Sequence, residues 1–321
     1  MKDDVLGVIL AAGKGTRLFP FSDRYPKPVL PICNKPLIEY QVETMCSLGI
    51  KTVFIVIAHL GFRIANELGD GSKYGVKIRY VDQGETLGIA HAVGKIESLV
   101  DRPFLLFLGE IFFITDDLSP MLDDLRSGEA NAVLATMVEK DPDAIKRNFA
   151  VIASEDGYVS RVVEKPRYIS TRTKGCGLYL FDQHIFDCIR RTPRTAMRDE
   201  YEITDAVQIM IDYGFKVRHR TLIKEDLNLT FPEDLLAINM LELKRLGRRS
   251  IIGENVQMSE GTCIENAVIG DETLIRNPID ISNCVILPES EVTTTEDIDT
   301  AIVTPERIVN FGRTSDEGSA T

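Results

Sequence analysis

No two of the six cysteines (Cys33, Cys46, Cys176, Cys188, Cys263, Cys284) are spaced C-x-x-C in this 321-residue chain. That absence leaves no zinc-ribbon pattern and no dense disulfide framework, so the thiols are expected to be reduced and mostly buried. No apolar run approaches the roughly 20 residues needed to span a bilayer. The opening MKDDVLGVIL carries acids where a secretory leader carries bases, so the expectation is a cytoplasmic chain with no membrane partner. Basic residues are in deficit, 37 Lys and Arg against 49 Asp and Glu, for a net charge of −12. This opposes nucleic-acid binding, whose affinity comes from neutralising phosphates. An anionic ligand therefore needs a local basic site.

What is present is ordinary for a globular protein, with 44% hydrophobic and 27% charged residues, in a chain long enough for one large domain and an appendage. DVLGVILAAG reads as a buried strand running into glycine, NKPLIEYQVETMCSLGI as a helix, and KTVFIVIAHL as a second strand. Strand, loop, helix and strand form a parallel βαβ unit. The alternation continues through VKIRYVDQ, GIAHAVGKIESLV, PFLLFLGE, NAVLATMVEK and GYVSRVVEKP. The expected fold class is α/β, a Rossmann-like, mostly parallel sheet with flanking helices over residues 1–231. PEDLLAINMLELKRLG opens with Pro232 and acids and closes with bases and Gly247, which suits a linking helix within 232–249.

Apolar residues then recur every sixth position, at Ile252, Met258 and Ile264, and at Ile269, Ile275, Ile281 and Leu287, with a single five-residue step between the series. This is the hexapeptide signature of a short left-handed parallel β-helix, expected over residues 250–307 with two to three coils. So short a solenoid needs a neighbour to bury its core, and a homo-oligomer is expected. It contains no histidine, which argues against the acyltransferase sites that such coils can form. The segment 308–321, ending in RTSDEGSAT, is polar and expected to be disordered.

The local basic site lies near the start. LAAGKGTRLFPFSDRYPKPVLP gathers Lys14, Arg17, Arg24 and Lys27 around Gly13 and Gly15. Glycines between a strand and the next segment let backbone N–H groups approach an anion. The spacing is neither the dinucleotide fingerprint nor a P-loop. Pro26 and Pro28 fix the backbone on either side of Lys27, which suits a lysine that must be aimed.

The whole stretch AAGKGTRLFPFSDRYPKPVLPICNKPLIEY resembles the signature of the sugar-1-phosphate nucleotidyltransferases, in its G-x-G-T-R, P-K-P and K-P-[LI]-x-Y elements. The resemblance extends in order through YVDQGETLGIAHAV, LLFLGE, VVEKP, KGCGLYLF, DEYEITDAV and LTFPEDLLAIN. It implies that residues 1–231 form a catalytic domain joining a nucleoside triphosphate to a sugar-1-phosphate, with Mg²⁺ and release of pyrophosphate. By resemblance, Leu10, Ala11, Ala12, Gly13, Gly15 and Thr16 hold the nucleotide, Arg17 the leaving pyrophosphate, and Lys27 the charge near the reacting phosphorus. Gln83 and Gly88 fall where the family reads the base. An amide suits the imide edge of uracil or thymine, so UTP or dTTP is expected. Glu164, Lys165 and Gly177 fall at the sugar and its phosphate.

The family's metal ligands are commonly aspartates, whereas this chain has Glu110 and Asn228 at those places, with Asp226 as a possible substitute. Magnesium demands near-octahedral oxygens at about 2.0–2.1 Å, so the extra methylene of Glu110 keeps open an alternative: a non-catalytic nucleotide-sugar-binding regulator.

Overall fold

The computed structural model describes residues 4–196 and 199–312. It divides into two compact units: Met1–Thr16, Ser22–Val29 and Leu37–Asn228 in the first, and Arg17–Phe21, Leu30–Pro36 and Leu229–Thr321 in the second. Two short segments of the signature stretch thus fold with the C-terminal residues, and the boundary is not a single cut in the sequence.

In the first unit four strands run parallel in the order Phe104–Leu108, Leu6–Ala11, Thr52–Ile57 and Lys77–Asp82. Helices Leu37–Ser47, Gly61–Leu68 and Ile89–Gly94 separate them along the chain. Alternate strand residues enter two apolar layers. Val8, Phe54 and Leu106 pack with Ala92, Val93 and Met210, while Ile9, Ile55 and Phe107 pack with Val42, Met45 and Met121. Burial of both faces explains why these strands read as unbroken apolar runs. The chain proceeds from Leu6–Ala11 to one side and returns to its other side at Phe104–Leu108. Such a reversal opens a crevice at the carboxyl ends of the strands, where α/β sheets take ligands.

Beyond Phe104–Leu108 the sheet is largely antiparallel. Thr173–Phe181 pairs in that sense with Phe104–Leu108, Ala132–Val138 and Phe149–Ala153, and the last pairs likewise with Val159–Glu164. The short Ser154–Tyr158 link leaves no room for the crossover that a parallel pair requires. Ile111–Thr115 and Ile223–Asn228 form a separate antiparallel ribbon.

The second unit contains the helix Pro232–Arg245, whose start is fixed by the Asp234 carboxylate accepting from the N–H groups of Thr230 and Phe231 at 2.8 and 2.7 Å. A hairpin of Pro31–Ile32 with Lys35–Pro36 turns through Cys33 and Asn34, both left-handed, as a two-residue hairpin turn of primed type demands. Asn239 clasps it: its Oδ1 accepts from Cys33 N–H at 2.7 Å and its Nδ2 donates to Pro31 O at 3.0 Å. Asn34 Nδ2 donates to Ile269 O at 2.7 Å. This explains why residues 30–36 leave their sequence neighbours for the second unit.

The C-terminal strands stack as three parallel faces of a β-helix. Ser250 pairs with Ala267, Val268 with Val285, and Val285 with Ile302, so each turn is one residue shorter than three ideal hexads. The five-residue step seen in the sequence is the recurrent corner. This tighter repeat completes three turns and begins a fourth at Ala301–Val303, against the two to three expected. Ile269, Ile275 and Ile281 are buried, whereas Ile252 of the first turn is 51% exposed. Ile308–Asn310, within the segment expected to be disordered, instead pairs antiparallel with Ala301–Val303 and covers the edge of the last turn. The RTSDEGSAT segment lies outside the described residues.

Candidate functional site

Leu10 and Ala11 end the first strand, and Ala12, Gly13, Gly15 and Thr16 form the loop beyond its carboxyl end. Gly15 has a φ of +65°, and a Cβ there would stand 3.0 Å from Lys27 Cε. Gly13 faces open space, room for a ligand to approach the backbone. The glycine loop therefore lies along the stem of Lys27, which is buried and whose Nζ donates to Glu110 Oε2 at 2.6 Å. Lys14 is exposed.

Glu110 sits in the turn between Phe104–Leu108 and Ile111–Thr115, anchored by Gly109 N–H to Leu10 O at 2.8 Å. Its side chain remains 41% exposed. Asn228 stands opposite Ile111 in the ribbon register, one residue from Glu110 along the partner strand. A carboxylate and an amide are thus brought to the same end of one ribbon. Both offer hard oxygens, and so small a donor set fits magnesium, which keeps waters and binds through substrate phosphates. Among the described residues no cluster of three or more His, Cys, Asp or Glu is arranged to hold a metal by itself.

Asp226 has a different setting. Its side chain is 2% exposed and faces Lys174 Nζ at 3.2 Å, with Glu139 3.4 Å from the same ammonium. Burial raises the Asp226 carboxyl above its ordinary range. Burial alone would weaken the charge on Lys174, but Asp226 and its neighbours outweigh that and raise its pKa. Asp226 is occupied as a buried counter-ion, which sets it apart from Glu110 and Asn228.

Gln83 follows the strand Lys77–Asp82, is buried, and donates from Nε2 to His91 Nδ1 at 3.3 Å. An amide nitrogen only donates, so the imidazole carries its proton on Nε2. Burial, then Lys95, lower the His91 pKa and favour that neutral form. Gly88 has a φ of +103°, and a Cβ would stand 2.6 Å from Tyr201 O. The close approach is a clasp: Tyr201 N–H donates to Leu87 O at 2.8 Å and Ala90 N–H to Tyr201 O at 3.0 Å.

Glu164 ends the strand Val159–Glu164, and its Oε2 accepts from Thr204 Oγ1 at 3.2 Å. Lys165 adopts a left-handed φ of +42°, held by its N–H donating to Asn148 O at 2.8 Å. Strain of this kind in a lysine concentrates where a side chain must be aimed. Gly177, φ +61°, leaves no space for a Cβ against Ile111 Cδ1, so its smallness is needed for packing on the strand that follows Glu110. Arg17 belongs to the second unit, exposed, with its guanidinium 5.8 Å from the Phe231 ring centre.

Gln41 and Thr204 do not stand out in the sequence as site residues, and His91 follows the base-reading stretch but reads there as a surface histidine at a helix start. Gln41 was hidden by its apolar helix face, where the available signal is a polar residue one turn after Leu37 and one before Met45. All six cysteines are free; Cys176, Cys188 and Cys284 are buried and Cys263 is exposed. Burial pushes Cys33 up to about 12.

The family model described as nucleotidyl transferase matches residues 6–224. A low-salt glycan biosynthesis nucleotidyltransferase, Agl11 of Haloferax volcanii, is 34% identical over 78% of this chain and 70% of its own length. A glucose-1-phosphate thymidylyltransferase of Streptomyces griseus is 32% identical over 81% and 74%. The UTP–glucose-1-phosphate uridylyltransferase AglF of Haloferax volcanii is 30% identical over 71% and 92%. Among solved structures, a Bacillus anthracis protein assigned as a glucose-1-phosphate thymidylyltransferase superposes with a TM-score of 0.66 at 26% identity, over 74% of this chain and 94% of that one. No helix among the described residues is long and apolar enough to cross a membrane. With its glycine loop, its Lys27–Glu110 pair and a family match over most of its length, the chain belongs to the nucleotidyl transferase family and is an enzyme of that class.

Proposed function

We propose that this enzyme joins UTP or dTTP to a sugar-1-phosphate, giving a nucleotide-sugar and pyrophosphate. The observation that carries the reading is the Lys27–Glu110 pair beside the Gly15 loop, at the carboxyl ends of the parallel strands. A sugar-phosphate oxygen attacks the α-phosphorus in line as pyrophosphate leaves, so two anions that repel each other must be held together. Lys27 Nζ carries three donors; one engages Glu110, and the others serve phosphate oxygens. Glu110 and Asn228 would hold magnesium, which when bound neutralises phosphate charge and orients the triphosphate. Arg17 takes the leaving pyrophosphate in this reading.

Because His91 takes one Nε2 donor of Gln83, the amide Oε1 is left to accept the imide N–H of uracil or thymine. The names of the Streptomyces and Haloferax relatives, a thymidylyltransferase and a uridylyltransferase of glucose-1-phosphate, support the same substrate classes. Glu164 accepts from sugar hydroxyls and Lys165 binds the sugar phosphate, while the missing Cβ of Gly177 serves packing against Ile111 and Leu108 rather than access for the sugar.

The test is pyrophosphate release with Mg²⁺ across nucleoside triphosphates crossed with sugar-1-phosphates, glucose-1-phosphate first. Turnover with UTP or dTTP is expected. Absence of turnover with every pair, alongside measurable nucleotide-sugar binding, would favour the regulatory alternative. A narrower expectation concerns Thr204, whose hydroxyl orients Glu164. Hydrogen bonds to charged groups contribute about 1.5–3 kcal/mol, so Thr204→Val should raise the KM for sugar phosphate at least roughly tenfold. The KM for nucleotide should stay unchanged, and Thr204→Ser should recover the loss. Equal rises in both KM values would refute a role for Thr204 at the sugar.

A further inference from the structure

One buried polar side chain lies beside the reacting groups without being among them. Gln41, on the helix Leu37–Ser47, is 1% exposed amid Leu37, Ile38, Val42 and Met45. Its Nε2 donates twice, to Leu108 O at 2.9 Å and to Ile111 O at 3.0 Å. Those carbonyls stand on either side of the Gly109–Glu110 turn. The amide orientation follows from chemistry, because two carbonyl acceptors require the nitrogen. Its Oε1 is left buried with no hydrogen-bond partner among the described residues.

We propose that Gln41 is a positioning residue for Glu110, clamping both ends of its turn so that the carboxylate meets Lys27; this rests on the catalytic reading of Lys27 and Glu110. A leucine would fill the helix face without burying an unpaired oxygen. A group that retains such an oxygen is held by what its other atoms do, and here those atoms grip only the turn that carries Glu110. Two constraints converge there: Gly109 N–H on Leu10 O from the glycine-loop strand, and the Gln41 fork. The first sets the turn's height above the sheet, and the second sets its rotation, which decides where a carboxylate on a long Glu side chain can reach. A displacement of about 1 Å in such a group can cost about 10²-fold in rate.

The experiment uses Gln41→Met, which keeps length but removes both donors, and Gln41→Asn, which keeps the amide one methylene short. Each is made in the wild type and in Glu110→Ala. Pyrophosphate release, thermal unfolding, and Mn²⁺ binding to the enzyme–UTP complex by paramagnetic resonance are measured. Gln41→Met should lower kcat about 10²-fold, leave both KM values within about threefold, unfold at or above the wild-type temperature, and weaken Mn²⁺ binding. In the Glu110→Ala background it should have almost no further effect on rate or on Mn²⁺, since a positioning residue has nothing left to position. The same factor in both backgrounds, unchanged kcat, or loss of fold in both Gln41 variants would overturn the proposal and assign Gln41 to the core alone. If the wild type itself does not turn over, it is the catalytic reading that fails, and Mn²⁺ binding still reports on the clamp.

Discussion

Lys27→Ala should lower the rate of pyrophosphate release by about 10³-fold or more, the scale of losing one preorganised donor at developing charge. It should do so while the protein unfolds close to the wild-type temperature. The two halves of the expectation have separate causes. The rate falls because Lys27 is buried under the Gly15 loop and its cation is delivered from a fixed direction; no exposed lysine can substitute. Stability holds because the carboxylate left behind, Glu110, is 41% exposed and can be solvated, so no buried charge is stranded. Lys27→Arg should not rescue, since a Cβ on Gly15 would already stand 3.0 Å from Lys27 Cε and a planar guanidinium needs more room than an ammonium. Single-turnover pyrophosphate release with saturating substrates checks this. A variant retaining more than roughly a tenth of the wild-type rate would remove Lys27 from the chemistry.

The parallel half of the sheet was readable because burial on both faces writes each strand as an apolar run ending in small residues. Leu6–Ala11 and Thr52–Ile57 need no partner to be recognised. The antiparallel half was less so, since Val159–Glu164 looks the same alone whether it pairs by hairpin or by crossover, and only the brevity of Ser154–Tyr158 decides. In the solenoid the hexads gave the apolar face, but the number of turns depends on the five-residue corner repeating. The hairpin joining the second unit was invisible, because what holds it are contacts to residues more than two hundred positions away, Asn239 and the Ile269 carbonyl.

The site divides in the same way. Gly15 and Lys27 stand out by local chemistry and Glu110 only by the family resemblance, and the structure brings these three together. Gln41, His91 and Thr204 each hydrogen-bond to a site residue or to its turn, and for Gln41 and Thr204 nothing in the neighbouring sequence names that partner. Asp226, a possible substitute ligand by its spacing, shows the complementary limit. Alternation puts it on the face of Asn228, yet alternation says nothing of Lys174, which arrives from a strand about fifty residues earlier and claims the carboxylate.

That claimed carboxylate carries the second large effect. Lys174→Met should destabilise the fold at neutral pH by about 3–5 kcal/mol, the usual result of removing one member of a buried ion pair. Lys174 and Asp226 have side chains only 4% and 2% exposed, so Asp226 would be left charged and dry. The deficit should depend on pH with a definite sign. Burial already raises the Asp226 carboxyl above its ordinary value, and losing Lys174 removes the attraction that opposes this rise. The folded variant then binds a proton that the unfolded chain has released. Stability is therefore retained below the ordinary carboxylate pKa of about 3.9 and lost as the pH rises through the folded value. Urea unfolding at a series of pH values should show a small deficit near the acid end and the full deficit at neutrality. The double variant Lys174→Met with Asp226→Leu should recover the part of the deficit that comes from Asp226, because no dry charge is left at that position, while Glu139, which also faces the ammonium at 3.4 Å, still loses its partner. A deficit that is the same at every pH, or a double variant no more stable than Lys174→Met, would mean that the pair is held by packing rather than by charge.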